Sequence, residues 1–123
     1  MTAAECPIVV VDDDADLREA VVDTLADEGF ATIPLNDGPS LLSYLRRGPL
    51  PRLVLLDWNM APMNGAQVMA EVAKERAWAP VVFVLLTADA RAEDKARMAG
   101  IKGFLKKPVS VPELLEVAER YCA

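Results

Sequence analysis

The chain has 123 residues, 53% of them hydrophobic, and a net charge of −6 at pH 7. This size and composition predict a single folded domain, residues 1–123, with a hydrophobic core of its own. The acidic balance argues against nucleic acid and anionic membrane surfaces as partners, because both are bound through clustered Lys and Arg.

The first half of the chain predicts two strands and two helices in alternation. Ile8–Val11 is an uninterrupted apolar run, typical of a strand buried on both faces of a parallel sheet. A helix that ends at Gly29 follows it, and the weaker run Phe30–Pro34 then predicts an outer strand because it ends in proline. A second helix ends at Gly48. The apolar stripes of the two helices are Leu17, Val21, Val22 and Leu25, and then Leu41, Leu42 and Leu45.

The second half repeats the alternation. Leu53–Leu56 and Val81–Leu86 predict two more buried strands, and the short run Gly103–Leu105 predicts an outer one. The fourth helix, Ala92–Ala99, offers only alanines and Met98 for burial, so we expect it to be the most loosely held. The stripes of the third and fifth helices are Val68, Met69, Val72 and Ala73, and then Val111, Leu114, Leu115, Ala118 and Cys122.

Five strands alternating with five helices predict an α/β fold in three layers. Right-handed crossovers and three central strands fit a doubly wound, five-stranded parallel sheet in the order 2-1-3-4-5. Ligands bind such sheets beyond the carboxyl ends of the strands, beside the point between strands one and three where the order reverses. Residues at those ends are therefore the candidates for a functional site.

Charged and polar side chains follow four of the predicted strands. Asp12 and Asp13 follow the first strand, Asp57 the third and Thr87 the fourth, and Lys107 lies just beyond the fifth. Carboxylates that meet in one crevice repel one another unless a cation lies between them. Mg²⁺ prefers oxygen ligands, and an aspartate can act as a nucleophile that forms an aspartyl phosphate. The pattern indicates a magnesium-dependent phosphoryl-transfer site.

Four segments at these spacings resemble the receiver domain of two-component response regulators, in particular the single-domain chemotaxis type. They are VVVDDD, LLDWNMAPMNG, LLTADA and GFLKKP, and the resemblance covers essentially the whole chain. It implies a flavodoxin-like fold, whose known strand order is the one inferred above, so the two inferences are not independent. It also implies a phosphoacceptor signalling domain rather than an enzyme, with self-phosphorylation and self-dephosphorylation as its chemistry.

The resemblance assigns the phosphoacceptor and the metal ligands to matching positions. Asp57 would accept the phosphoryl group. Asp12 and Asp13 would form the acidic pocket that holds Mg²⁺ together with Asp57, and the backbone carbonyl of Asn59 would complete the ligation.

Three further positions are assigned in the same way. Thr87 would hydrogen-bond the phosphoryl group once it is attached. Lys107, joined to Pro108 by a cis peptide bond, would pair with the phosphate. Phe104 occupies the position of an aromatic side chain that switches between outward and inward rotamers.

One departure from the family pattern lies in the loop after Asp57. The family usually has a proline four residues beyond the acceptor, but here Ala61 stands there and Pro62 follows it. The loop can still close on Gly65. Its path, and the position of Trp58 near the pocket, are left open by the sequence.

The resemblance also implies partners. Because the chain has no histidine, its phosphodonor must be a sensor histidine kinase, a phosphotransfer protein or a small phosphodonor. A downstream protein would dock on the face around Ala90–Met98, Phe104 and Lys106, or the phosphoryl group would be relayed onward. We expect a monomer, with dimerisation on phosphorylation as an open alternative, and neither nucleic acid nor membrane as a partner. No apolar run approaches the ~18 residues of a membrane span, and no basic signal-peptide region is present, which predicts a cytoplasmic protein.

Two other functions compete with this interpretation. A phosphatase of the haloacid dehalogenase type also uses an aspartate after a strand, in an Asp-x-Asp pattern that Asp12 and Asp14 satisfy. Such enzymes also need a cap region, which this sequence lacks. They need a further pair of acidic residues late in the sequence, and only Lys107 and Glu113 occupy that region here. The other alternative is a phosphorylation-independent binding module, and the complete set of pocket residues argues against it.

Cys6 and Cys122 have no role in the site described above. They do not have metal-ligand spacing, and the absence of histidine argues against the usual zinc sites and against Cys-His catalysis. The last helix should return to the sheet edge where the first strand begins, so the two residues can approach each other. In a reducing cytoplasm, however, two separate reduced thiols are the expectation.

Overall fold

The computed structural model describes residues 6–89 and 91–122, which form a three-layer α/β fold around one parallel sheet. The strands are β1 (Ile8–Val11), β2 (Thr32–Leu35), β3 (Leu53–Asp57), β4 (Val82–Thr87) and β5 (Gly103–Lys106). The α-helices are α1 (Ala15–Asp27), α2 (Gly38–Arg47), α3 (Gly65–Val72), α4 (Ala92–Met98) and α5 (Val111–Cys122), and a short 3₁₀ turn, Arg76–Trp78, precedes β4. None of the helices in these two ranges is both long and apolar enough to cross a membrane.

The strand order is β2-β1-β3-β4-β5, and all pairings are parallel, which confirms the predicted topology. β2 begins two residues later than its apolar run suggested. The amide of Phe30 donates a hydrogen bond to the carbonyl of Leu25, 3.1 Å away, after Gly29 has turned the chain with a φ of 89°. Phe30 thus completes the end of α1, and the strand begins only after it.

The sheet separates two hydrophobic clusters, because alternate residues of each strand point to opposite faces. Val9 and Leu56 face the cluster formed with α2, α3 and α4. Val10 and Leu55 face the cluster formed with α1 and α5. Every residue of β1 and β3 is buried, as the uninterrupted apolar runs predicted.

Helix α4 contributes only small side chains to the hydrophobic core. Ala92 and Ala96, one turn apart, are its buried residues, whereas Met98 is 90% exposed. The expectation that Met98 is buried is therefore wrong. Two residues beyond Ala96 correspond to about 200° around a helix, so Met98 lies on the opposite side from the alanines.

The two cysteines also differ from expectation. α5 runs antiparallel to the strands and brings Cys122 beside Cys6, with 5.6 Å between their Cα atoms and their sulfurs bonded. The expectation of two separate thiols is not what this structure shows. The pairing depends on the direction in which α5 packs, which the local sequence around either cysteine does not specify.

Candidate functional site

The residues singled out from the sequence meet at the carboxyl edge of the sheet. Asp57 is the last residue of β3 and Thr87 the last residue of β4. Asp12 and Asp13 directly follow β1, and Lys107 directly follows β5. Parallel strands end at the same edge, which is why segments so far apart in sequence deliver their side chains to one place.

Three carboxylates form the centre of this site. Asp12, Asp13 and Asp57 each offer one oxygen, and these oxygens all lie within 4.8 Å of one another. Asp12 is 0% exposed and Asp57 4%, whereas Asp13 is exposed. The cluster is thus buried at its base and open to solvent at Asp13.

The ammonium group of Lys107 bridges the two buried carboxylates. Its Nζ lies 3.1 Å from Oδ2 of Asp12 and 3.2 Å from Oδ1 of Asp57. Burial by itself lowers the pKa of Lys107, but the hydrogen bonds and charges of the two aspartates outweigh it and leave the pKa above its usual value. The Lys107–Pro108 peptide bond is cis, as the resemblance implied.

The pKa of the Asp57 carboxyl group is well above its usual value. Burial first, and the neighbouring charge of Asp12 second, raise its pKa to about 6, although Lys107 acts in the opposite direction. One ammonium therefore does not fully offset the clustered carboxylates. A further cation at the site would favour the ionised form of Asp57.

The available ligand atoms suit a hard divalent cation. The cluster supplies carboxylate oxygens, which are the ligands that Mg²⁺ prefers. Oδ2 of Asp12 is fully buried and, apart from its ion pair with Lys107, accepts no well-aligned hydrogen bond from the residues that the structure describes. Such an oxygen retains the capacity to face a metal ion directly or through a water molecule.

The turn between β1 and α1 holds Asp12 in place. Oδ1 of Asp12 accepts a hydrogen bond from the amide of Asp14 at 2.9 Å, and Arg18 donates one to the carbonyl of Asp12 at 2.6 Å. The carboxylate of Asp14 caps α1 by accepting from the amides of Asp16 and Leu17. Sequence reasoning missed Arg18. Its signal is a cation near the amino end of a helix, which the helix dipole disfavours unless another contact compensates.

The loop after Asp57 closes on Gly65 despite the displaced proline. The Ala61–Pro62 peptide bond is cis. The amide of Gly65 donates to the carbonyl of Trp58 at 2.8 Å, and the buried indole of Trp58 packs against this glycine. The amide of Asn59 reaches Oδ1 of Asp57 at 3.4 Å, which places Asn59 beside the acceptor. Metal ligation by the Asn59 carbonyl stays a prediction.

Thr87 lies at the site with its hydroxyl engaged elsewhere. Oγ1 accepts a hydrogen bond from the amide of Asp89 at 3.0 Å and donates to the carbonyl of the same residue at 3.3 Å. The carboxylate of Asp89 in turn accepts from Arg91 at 2.9 and 3.1 Å. The hydroxyl must leave Asp89 before it can bind a group attached to Asp57.

Phe104 lies on β5 with its side chain partly buried. The guanidinium carbon of Arg97, from α4, sits 4.9 Å from the centre of its ring, a cation–π contact. The ring therefore connects the outer strand with the thinly attached helix.

Comparison with known proteins gives consistent matches. Residues 8–119 match the family model described as the response regulator receiver domain. The chain is 30% identical to the chemotaxis protein CheY-3 of Vibrio cholerae over 116 residues, which cover 92% of this chain and 88% of that protein. It is 34% identical to the phosphate regulon transcriptional regulatory protein PhoB of Escherichia coli over 110 residues, 88% of this chain but 48% of PhoB. The crystal structure of the receiver domain of NtrX from Brucella abortus matches with a TM-score of 0.82 at 31% identity, over 94% of this chain and 97% of that one.

Proposed function

The chain belongs to the response regulator receiver domain family of two-component signalling, and on this premise we propose that Asp57 is the residue that accepts the phosphoryl group. The observation that carries the proposal is the meeting of Asp12, Asp13, Asp57 and the Lys107 ammonium at one sheet edge. Because the chain contains no histidine, a phosphohistidine donor must belong to a sensor histidine kinase or a phosphotransfer protein.

The proposed reaction transfers one phosphoryl group to the chain. A carboxylate oxygen of Asp57 attacks phosphorus, and the new O–P bond forms as the N–P bond of the phosphohistidine breaks and its electron pair leaves with the imidazole. Lys107, already 3.2 Å from Asp57, stabilises negative charge on the phosphoryl oxygens. Its second contact, with Asp12, holds the ammonium in position.

Receiver domains generally bind Mg²⁺ at an acidic cluster, and the ligands we assign here are Asp12, Asp13, Asp57 and the backbone carbonyl of Asn59. When bound, the ion neutralises charge that would otherwise oppose the approach of an anionic phosphoryl group to three carboxylates. The exposure of Asp13 leaves that side of the cluster open for the ion and for the phosphodonor.

The signal would then leave the site through Thr87. Its hydroxyl breaks the two hydrogen bonds with Asp89 and turns to the phosphoryl group, which changes the turn between β4 and α4. Phe104 then moves inward, and a partner protein docks on α4, β5 and α5. The predicted docking face reaches Ala90, which lies outside the described residues; its described part includes Met98 and Lys106, both exposed.

The phosphatase alternative is not favoured. In the Asp-x-Asp pattern of those enzymes the second carboxylate must reach the substrate, whereas Asp14 is committed to capping α1. The phosphorylation-independent module is also not favoured. The buried carboxylate of Asp57 is unfavourable for folding when it is ionised, and a domain that only docks to a partner does not need it.

Acetyl phosphate with Mg²⁺ tests the proposal directly, because a small phosphodonor requires no partner protein. We expect intact-mass spectrometry to show one added phosphoryl group, and the addition of EDTA to abolish it. Peptide mapping should place the group on Asp57.

Asp57→Asn should eliminate the labelling, and Asp23→Asn, which removes an exposed carboxylate of α1, is the matched control and should be labelled normally. Labelling that persists in Asp57→Asn, or maps to another residue, would overturn the assignment. Decay of the label in purified protein would show the self-dephosphorylation expected of this family.

A further inference from the structure

Cys6 and Cys122 form a buried covalent contact between the start of the sheet and the end of the last helix. Cys6 lies two residues before β1, and Cys122 is the last residue of α5. Their Cα atoms are 5.6 Å apart, within the range that a disulfide requires, and their sulfurs are bonded. We propose that this pair is a redox-sensitive staple, a reversible disulfide that fixes α5 to β1 and stabilises the domain when its surroundings are oxidising.

Both redox states fit the same core. Cys6 and Cys122 are 1% and 2% exposed and belong to the hydrophobic cluster on the α1–α5 face of the sheet, together with Phe30 and Ala118. A reduced cysteine behaves as a small hydrophobic residue, so this cluster can hold two thiols as well as a disulfide. The bond can therefore form and break without a change of fold.

The position of the pair separates its effect from the phosphoacceptor site. The bond lies at the amino edge of the sheet, whereas Asp12, Asp57 and Lys107 lie at the carboxyl edge. The contacts of those residues do not involve either cysteine. The staple acts instead on α5, whose last turn it ties to Cys6, two residues before β1, and this effect does not depend on whether Asp57 is the phosphoacceptor.

The two cysteines are 116 residues apart in sequence, so the bond closes almost the whole chain into a loop. Closing a long loop restricts the unfolded chain more than closing a short one. We expect the oxidised protein to melt about 10 °C above the reduced protein.

A low-molecular-weight disulfide such as oxidised glutathione supplies the oxidant. One cysteine thiolate attacks it, which forms a mixed disulfide and releases one glutathione thiolate. The other cysteine thiolate then displaces the second, and the two released thiolates take up the two protons lost by the cysteines. Cys122 lies in the last turn of α5, so opening of this single turn gives the oxidant access.

The test uses the purified chain, fully reduced and then equilibrated with oxidised glutathione. Alkylation under denaturing conditions and mass spectrometry should show a monomer two hydrogens lighter with no alkylated thiol, and dithiothreitol should reverse this. In thermal melts, the oxidised form should unfold about 10 °C above the reduced form.

The variant with both Cys6→Ala and Cys122→Ala is the matched control, and its melting temperature should be the same with and without reductant. Labelling by acetyl phosphate should proceed at the same rate in the oxidised and reduced wild type. A monomer that keeps two alkylatable thiols, a disulfide-linked dimer in its place, or equal melting temperatures of bridged and reduced protein would overturn the proposal.

Discussion

At the scale of single residues, Asp57 shows how burial and neighbouring charge act on one carboxyl group. It is almost fully buried, Asp12 lies beside it, and the ammonium of Lys107 offsets only part of the resulting cost. Without a metal ion, ionised Asp57 therefore destabilises the fold. The same electrostatic cost means that a cation bound beside Asp57, or a phosphoryl group attached to it, changes the stability of the fold.

We predict that Asp57→Asn stabilises the metal-free protein at about pH 7 by about 3 kcal/mol. The folded-state pKa of about 6 lies above the ordinary value of 3.8, so the folded state binds the proton more tightly. Wild-type stability should therefore fall as the pH rises from about 4 to about 6, and the advantage of the variant should open over the same window.

Urea unfolding in EDTA across this pH range measures the effect. Asp23→Asn, at an exposed position of α1, should leave stability nearly unchanged. A variant at Asp57 that is no more stable than the wild type at about pH 7 would contradict the prediction.

Asp13 supports a second prediction at this scale. It is the exposed member of the carboxylate cluster, so Asp13→Asn should weaken Mg²⁺ binding about tenfold or more from a roughly millimolar affinity without disturbing the core. The fluorescence of Trp58, which adjoins Asp57, is the readout in a magnesium titration.

Asp16→Asn provides the comparison, because Asp16 is also an exposed carboxylate, lies in the first turn of α1 and is not part of the cluster. It should bind Mg²⁺ as the wild type does. The proposed metal site would be contradicted if all three proteins bound Mg²⁺ with the same affinity, or if Mg²⁺ did not change the fluorescence of the wild type.

At the scale of secondary-structure elements, the start of α3 determines the shape of the loop that follows Asp57. Asn64 caps the helix, and the capping box with Gln67 is complete. Gly65, the first helical residue, lies so close to Trp58 that an added Cβ would overlap Cε3 of the indole and sit 3.0 Å from the Cα of Trp58. Glycine is thus required by a close approach rather than by helix formation.

We predict that Gly65→Ala destabilises the protein by about 1 to 3 kcal/mol and shifts the fluorescence of Trp58, because the indole must move. The sign of the change in unfolding free energy is informative, because without the contact to Trp58 alanine would stabilise the helix by about 1 kcal/mol relative to glycine. Chemical denaturation measures it, with Ala70→Ser at an exposed position of the same helix as the control. Stabilisation by Gly65→Ala would show that the contact with Trp58 is not close.

Helix α4 is the element best suited to move. Its buried residues are Ala92 and Ala96, so little apolar surface opposes a displacement. It follows directly on the turn in which Thr87 and Asp89 are hydrogen-bonded, and Arg97 connects it to Phe104. A change at Thr87 therefore reaches the helix and the outer strand without crossing the densely packed core.

At the scale of the whole molecule, we expect the candidate site and the predicted docking face to be coupled through this route. Ligand binding shifts an equilibrium only through a difference in affinity between two conformations. The hydrogen bonds between Thr87 and Asp89 belong to one conformation, and a Thr87 contact with the phosphoryl group would belong to the other.

We predict that Thr87→Ala still accepts the phosphoryl group at Asp57 but loses most of the response of α4, β5 and α5. NMR spectra with and without beryllofluoride, a phosphoryl mimic, measure that response. Thr24→Ala is the control, because the Thr24 hydroxyl donates only to the carbonyl of Ala20 within α1. Wild-type shifts confined to the loops around Asp12 and Asp57 would contradict this account of signalling.

The local sequence determined the elements and most of the residues of the candidate site. Uninterrupted apolar runs identified the buried strands β1, β3 and β4, because a strand covered on both faces has no polar positions to alternate with. The site residues followed from their place at strand ends, since a parallel sheet collects those ends at one edge. Asp12, Asp57 and Lys107 are in contact there.

Only the tertiary structure decided the contacts that depend on how helices, strands and loops pack against one another. The exposure of Met98, the approach of Trp58 to Gly65, the hydrogen bond from Arg18 to Asp12 and the pairing of Cys6 with Cys122 all belong to this class. Each depends on the rotation or direction of one element against another. Periodicity within a segment reports which face is apolar, but it contains no information about which distant residue that face, or the end of that helix, will meet.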